Sequence, residues 1–276
     1  MKIITDTAAL IPPSQGEDYG VTVMPVGVAI NDRTYRDYAD ISSAEFLELI
    51  RQGGVPSSSQ PAIGEILDVL ESTDEELLFI TVGDGLSGSY QTAVGARSFA
   101  QDPQRIHVMD SGTLAGPLRY LARKAVELKE QKLSMEQIKQ RLRRCIDSSV
   151  SFAIPEDFEF LKRSGRLAPF AAKVGSALKL LPVLTQTRDR KRLIPIGVRR
   201  GWKSAVDAVL QRLQDLEVGA DHLISICHAG VPQRAEQVLQ QVKERFASAE
   251  TEILELSPGL TTHGGPGCIV IQAISK

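Results

Sequence analysis

The feature that most constrains this chain is a turn rich in glycine and serine, GDGLSGSY, at residues 83–90. It follows the apolar run LLFITV at 77–82, which predicts a buried strand, and it precedes a segment at 91–100 that predicts a helix. Such a turn gathers backbone N–H groups without partners at the positive end of a helix dipole. The sequence therefore predicts a strand–turn–helix unit that can receive an anion.

Strands and helices alternate through the first half of the chain. Short apolar runs that predict strands recur there, at 2–5, 77–82 and 104–109. This alternation predicts an N-terminal α/β domain, residues 1–150, in which helices flank a largely parallel sheet. The second half contains a hairpin-like segment at 181–198 among further strands and helices. We therefore expect a second α/β domain, residues 151–276, with a mixed or antiparallel sheet.

The charge balance and the cysteine content limit the classes of function that this chain can have. The 276 residues include 32 Lys or Arg and 34 Asp or Glu, so the formal net charge is -2. This near-neutral balance argues against binding that is dominated by nucleic-acid phosphates. Three widely separated cysteines match no disulfide framework and no metal-ligand spacing, so we expect a cytoplasmic protein without a metal site. We recognise neither a signal peptide nor a membrane-spanning run.

The glycine-rich turn is open to other interpretations. Gly83–Gly88 matches the dinucleotide fingerprint G-x-G-x-x-G, with Asp110 further along the chain, which would predict an NAD-type oxidoreductase. Asp84 opposes this interpretation because its charge would lie beside the pyrophosphate. The turn also approaches the nucleophile elbow G-x-S-x-G, but Ser89 occupies the last glycine position. An ordinary tight turn is the remaining possibility.

Four further segments are candidates for ligand or partner contact. Ser58 and Ser59 lie in a stiff segment between two prolines and offer hydroxyl donors, although Ser59 also fits a helix N-cap. His263, in a glycine-rich loop, is either a packed turn residue or a hydrogen-bond partner of a ligand. Arg166, directly after a helix stop, is a solvated charge or a ligand contact. The basic cluster at 188–203 predicts either a solvated hairpin tip or a docking surface for an acidic, phosphate-bearing or nucleic-acid partner.

Taken in order, these segments resemble the DegV family of bacterial fatty-acid-binding proteins, the lipid-carrying subunits of fatty-acid kinase. The matching landmarks are Asp6-Thr7, Ser58-Ser59-Gln60-Pro61, Leu86-Ser87-Gly88-Ser89-Tyr90, Asp110-Ser111, Ser164-Gly165-Arg166, Arg200 with Lys203, and His263-Gly264-Gly265-Pro266-Gly267. They come in the family's order and span nearly the whole chain. Ser58 and Ser89 stand where the family usually has threonine, so a hydroxyl is kept at both positions.

The resemblance implies one long-chain fatty acid held between two domains, with no other cofactor. The positions that bind the carboxylate in the family correspond to Ser58, Ser59, Ser87 and Gly88. Two further positions, Arg166 and His263, are similar to the family's residues near the head group. We expect the tail to lie against the apolar segment Ala171–Leu184 of the second domain.

The resemblance also implies a carrier rather than an enzyme. The chain would present the carboxylate to a separate ATP-dependent fatty-acid kinase, which would form an acyl phosphate for phospholipid metabolism. Arg200 matches a basic position that would contact this kinase subunit. The sequence contains no Walker A motif, which is consistent with this division of labour. We also expect transient contact with a membrane and no binding of nucleic acid.

Overall fold

The computed structural model describes residues 1–169 and 180–276. The strands in these ranges are β1 (Lys2–Asp6), β2 (Val21–Met24), β3 (Gly27–Ile30), β4 (Arg33–Arg36), β5 (Ser57–Ser59), β6 (Leu77–Thr81), β7 (Ile106–Asp110), β8 (Val150–Ile154), β9 (Leu181–Gln186), β10 (Leu193–Arg199), β11 (His222–His228), β12 (Glu250–Glu255) and β13 (Ile269–Ser275). The α-helices are α1 (Ser43–Arg51), α2 (Ile63–Glu71), α3 (Ser89–Phe99), α4 (Ala115–Glu130), α5 (Met135–Ser148), α6 (Phe158–Ser164), α7 (Trp202–Asp215), α8 (Pro232–Arg245) and α9 (Pro258–Gly264).

The first sheet is parallel and covered on both faces. Its strand order is β2-β1-β6-β7, and every neighbouring pair runs parallel. Alternate side chains of the strands pack in two directions: Ile4 and Phe79 against α2 and α3, and Ile3 and Leu78 against α4 and α5. The apolar run at 77–82 is continuous because β6 is buried on both sides. The prediction of a largely parallel sheet flanked by helices is confirmed.

The second sheet is mixed, as predicted. Its order is β10-β9-β8-β13-β11-β12, in which β11 and β12 are parallel and the other neighbours are antiparallel. Helices α7 and α8 cover one face. Within the described residues, none of the helices combines the length and the apolar character needed to cross a membrane.

Helix α4 packs between the two sheets. It contacts β1 and β6 on one side and β11 and β13 on the other. The approach is close at Gly116, where an added Cβ would lie 2.1 Å from Ser225 Oγ, so this position requires glycine. Leu118 of α4 shares one apolar cluster with Leu223 and Ile274 of the second sheet. A division into domains at residue 150 therefore stays a prediction.

A third, small sheet was not predicted. Its order is β4-β3-β5, and it places Val28 opposite Ser58 and Gly27 opposite Ser59. The prediction that Ser59 is a helix N-cap is wrong, because α2 begins only at Ile63, with Ala62 as its N-cap residue. Strand β3 supplies backbone partners to the serine segment, and this pairing has no signature in the segment itself.

The tip of the β9–β10 hairpin is bound to other parts of the chain. Lys191 forms an ion pair with Asp84 at 2.9 Å. The guanidinium of Arg190 donates to Ile146 O at 2.6 Å and to Ser149 Oγ at 2.9 Å. The interpretation of 188–203 as a solvated tip is therefore wrong for Arg190, whereas Lys191 stays exposed to solvent.

Candidate functional site

A cavity that measures about 130 Å³ lies between the first and second sheets. Its walls are largely apolar and come from both halves of the chain. Among the lining residues, Ala8 follows β1, Val82 follows β6, Val26 follows β2, Leu260 lies in α9 and Val270 lies in β13. A cavity needs roughly 10–15 Å³ to hold one water molecule, so this apolar space is far larger than a water site and can take an apolar ligand.

Several polar positions line the same cavity. They are Ser58, Ser59, Gln60, Ser87, Gly88, Arg166 and His263. The structure thus brings together six of the residues that the sequence analysis selected, from four segments of the chain. Arg200 is exposed after β10 and is not among the lining residues.

Ser58 and His263 form a hydrogen-bonded pair. Ser58 Oγ lies 2.9 Å from His263 Nε2, which joins β5 to α9 across 205 residues. Loss of solvent around the ring and, to a smaller extent, the nearby positive charge of Arg166 together lower the pKa of His263 to about 3. The imidazole is therefore neutral at physiological pH. The pair offers a neutral hydrogen-bonding group to the cavity rather than a positive charge.

Ser87 and Gly88 lie at the N-terminus of α3. Ser87 Oγ is 2.9 Å from Ser89 Oγ and accepts a hydrogen bond from the Ser89 N–H at 3.3 Å. Gly88 is the N-cap residue, and an added Cβ would lie 3.0 Å from Gln60 Oε1. The first N–H groups of a helix favour an anion. This end of the cavity therefore combines hydroxyl groups with the positive end of a helix dipole.

Arg166 supplies a cation beside this helix end. Its Nε donates to Leu86 O at 3.0 Å, and the side chain is half-buried. Burial lowers the pKa of Arg166, and the positive charge of Arg192 lowers it further. A guanidinium remains charged in proteins, and none of the described carboxylates forms an ion pair with this one. A cation without a counter-ion at a cavity wall favours an anionic ligand.

The packing of the glycine-rich turn argues against a dinucleotide. An added Cβ at Gly83 would lie 2.9 Å from the carbonyl carbon of Gly112. Gly85 has a φ of +86°, and its Cβ would lie 2.9 Å from Lys191 Cα. Both glycines therefore contact protein backbone where the fingerprint would need a pyrophosphate. Within residues 1–169 and 180–276, no three His, Cys, Asp or Glu side chains come together to hold a metal.

The sequence analysis missed the role of two buried carboxylates behind the cavity wall. Asp6 accepts hydrogen bonds from the N–H groups of Val82 at 2.9 Å and Ala8 at 3.1 Å. Asp37 accepts one from the Gly259 N–H at 3.2 Å. Burial raises the pKa of Asp6 to about 7 and that of Asp37 to about 6. These carboxyls hold separate wall segments together, and only the Asp6 position was noted beforehand, as a landmark.

Replacing Asp37 by asparagine should make stability depend less on pH. Burial raises the pKa of Asp37 from 3.8 to about 6, so the folded protein binds this proton more tightly than the unfolded chain does. The contribution of Asp37 to the free energy of unfolding therefore falls as the pH rises from about 4 to about 6. Asparagine cannot ionise, so the stability of the variant relative to wild type should rise across this window by on the order of 3 kcal/mol.

Urea unfolding of both proteins below and above this pH window measures that difference. Asp32→Asn, in an exposed turn, controls for the loss of one negative charge. A stability difference between Asp37→Asn and wild type that stays constant with pH would show that the Asp37 carboxyl does not hold its proton more tightly when the chain folds.

Ala171–Leu184 is the segment predicted to contact the tail. Its positions 171–179 lie outside the described residues. Its remainder, 180–184, is not among the residues that line the cavity. Leu184 instead packs with Leu161 and Leu167 in an apolar cluster. The described apolar wall comes from β8, β13 and α9 together with the first half of the chain. For residues 180–184, the prediction that they line the space for the tail is therefore wrong.

Fold and cavity together define an α/β protein with a ligand pocket between two sheets and an anion-accepting end. A family model described as "Uncharacterised protein, DegV family" matches residues 1–276. The chain belongs to the DegV family.

Solved structures and a curated relative agree with this assignment. A DegV family protein from Thermus thermophilus, described by its fatty-acid binding, is 28% identical, with a TM-score of 0.89 over 100% of this chain and 99% of that chain. DegV of Bacillus subtilis, described as a fatty acid binding protein, has a TM-score of 0.87 at 25% identity over the same shares. A DegV domain-containing protein of Clostridium acetobutylicum is 28% identical over 98% of this chain and 96% of its own length.

Proposed function

We propose that this chain binds a long-chain fatty acid in the cavity between its two sheets. The carboxylate would be held by Ser58, Ser59, Ser87 and Gly88, near Arg166 and His263. The observation that carries the proposal is an apolar cavity with hydroxyls, a helix N-terminus and, at the same end, a guanidinium that forms no ion pair with the described carboxylates. The fatty-acid binding of the Thermus thermophilus and Bacillus subtilis proteins supports the same ligand class.

The energetics divide the work between tail and head group. Burial of the tail contributes about 0.8 kcal/mol per CH₂, so a long chain contributes on the order of 10 kcal/mol before ordering costs. Each charge-assisted hydrogen bond to the carboxylate contributes about 1.5–3 kcal/mol. The tail therefore sets most of the affinity, and the polar end sets the direction in which the ligand lies.

The bound acid would be a cargo for another protein. We place this chain as a carrier subunit that presents the carboxylate to a separate ATP-dependent fatty-acid kinase, which forms an acyl phosphate used in phospholipid metabolism. Exposed Arg200 would contact that kinase. A cytoplasmic location fits three cysteines that are free and buried. Loading from a membrane would require only transient contact.

Replacing Arg200 by glutamate should slow acyl-phosphate formation by roughly ten-fold at limiting carrier, since reversal of an interface charge opposes association. The measurement mixes delipidated carrier, oleic acid, ATP and a fatty-acid kinase, and follows acyl phosphate as the hydroxamate. Arg144→Glu, on the exposed side of α5, is the matched control. Fatty-acid affinity should not change in either variant. Acyl-phosphate formation by the carrier alone would contradict the division of labour, and an unaltered rate with Arg200→Glu would exclude this docking site.

A further inference from the structure

The apolar cavity carries a second polar set away from the head-group residues. Ser151 in β8 and Gln186 in β9 both line it. Ser151 is 7% exposed, so its hydroxyl is nearly enclosed. A buried hydroxyl without a partner costs free energy. The hydrogen bonds that these two side chains make or lack therefore influence which ligand the cavity binds.

The hydrogen bonds of Gln272 determine what Ser151 can do. Gln272 Oε1 accepts from the Gly116 N–H at 3.2 Å, which fixes the orientation of the amide. Its Nε2 must then donate, to Leu114 O at 3.0 Å and to Ser151 Oγ at 2.8 Å. Ser151 Oγ is therefore an acceptor in this pair, and its own proton remains to be donated. No acceptor for that proton lies within hydrogen-bonding distance in the described part of the chain.

Gln186 offers the complementary group. Its Nε2 donates to Gly112 O at 2.9 Å and to Arg190 O at 3.2 Å, which uses both amide protons. Over residues 1–169 and 180–276, no donor reaches its Oε1. The amide oxygen therefore remains available as an acceptor at the cavity wall.

The two groups are neighbours. Strands β8 and β9 are antiparallel, with Phe152 opposite Thr185, so Ser151 and Gln186 stand opposite each other one residue further along. Opposite side chains on antiparallel strands point to the same face, with Cβ atoms about 4.5–5.5 Å apart. A donor and an acceptor thus face one cavity side by side.

Ser151 lies at a distance from the His263 end of the cavity. Cys268 Sγ is 3.0 Å from the place of an added Cβ on Gly264, the residue after His263. Cys268 directly precedes β13, and four residues further along the chain Gln272 stands opposite Ser151. At about 3.3 Å per residue, Cys268 and Gln272 are about 13 Å apart, so Ser151 faces the tail rather than the carboxylate.

We propose, resting on the proposed function, that Ser151 and Gln186 form a subsite for a hydroxyl group on the acyl chain, so that the preferred ligand is a hydroxylated long-chain fatty acid. An alcohol both accepts and donates one hydrogen bond. It can accept from Ser151 and donate to Gln186, whereas a methylene group leaves both without a partner.

Competition binding tests this subsite on the delipidated full chain. The probes are stearic acid and a set of monohydroxystearic acids with the hydroxyl at different carbons, each displacing a fluorescent fatty acid. For wild type, at least one positional isomer should bind roughly ten-fold more tightly than stearic acid. The ratio of the two Kd values should fall to about one in Ser151→Ala and in Gln186→Leu, because each removes one bond and leaves the buried ligand hydroxyl with an unsatisfied donor or acceptor that offsets the other bond.

Two controls keep the ratio interpretable. Ser151→Thr retains the hydroxyl and should retain a preference, which separates loss of the bond from damage to β8. Ser98→Ala, on the exposed face of α3, should leave the ratio unchanged.

Equal affinities for stearic acid and every isomer in wild type would overturn the subsite, as would a preference that persists in Ser151→Ala. The first result would mean that water satisfies the pair, and the proposed function would stand because stearic acid still binds. Binding of neither acid class would instead refute the proposed function itself.

Discussion

Replacing Ser58 and Ser87 together by alanine is expected to weaken fatty-acid binding by about two orders of magnitude. The two hydroxyls come from β5 and from the turn before α3, and both line the polar end of the cavity. Each would donate a charge-assisted hydrogen bond worth about 1.5 kcal/mol or more to the carboxylate. Their joint loss of about 3 kcal/mol corresponds to a roughly hundred-fold higher Kd.

Displacement of a fluorescent fatty acid from the delipidated protein measures this change. Ser57→Ala is the matched control, because Ser57 lies on the same strand, is exposed and does not line the cavity. The double variant should bind a fatty alcohol of equal length almost as well as wild type does, since an alcohol carries no charge. If the double variant keeps the wild-type Kd for the acid, the carboxylate lies elsewhere.

Shortening the ligand is expected to have an even larger effect. Each CH₂ withdrawn from the cavity costs about 0.8 kcal/mol, which raises Kd about four-fold. Going from palmitic to decanoic acid removes six methylenes, so the affinity should fall by roughly three orders of magnitude. A series of saturated acids gives the slope directly, provided that all are measured under one condition and each stays below its solubility limit.

The slope also reports where the tail lies. A tail enclosed by Val82, Leu260, Val270 and their neighbours should give a constant increment until the cavity is full, and then a plateau or a loss. An affinity independent of chain length would mean that the tail stays in solvent, which contradicts a buried tail.

Local patterns in the sequence accounted for much of the fold. The continuous apolar run at 77–82 and the glycine- and serine-rich turn after it predicted β6 and the start of α3, because a doubly covered parallel strand has few other compositions. The hairpin of β9 and β10 followed from two apolar runs around a charged turn. The N-cap prediction for Ser59 failed because pairing with β3, which is distant in sequence, makes its segment a strand.

The sequence predicted which residues belong to the candidate site but not how they are arranged. Local sequence cannot show that Ser58 meets His263 across 205 residues, or that desolvation keeps this histidine neutral. Local sequence likewise cannot show that Arg166 lacks an ion pair among the described residues, since this depends on which carboxylates the fold brings near it. Asp37 had no signal at all, since a lone aspartate in a charged turn is ordinarily solvated, and its burial comes from distant segments such as α9, where the Gly259 N–H donates to it.

Organic extraction of the purified protein, followed by quantitative mass spectrometry, tests the central claim most directly. The account predicts about one long-chain fatty acid per chain in wild type, and a much lower yield after replacement of both Ser58 and Ser87. Protein that carries no fatty acid as purified, and that takes up none when long-chain acids are added after delipidation, would contradict it.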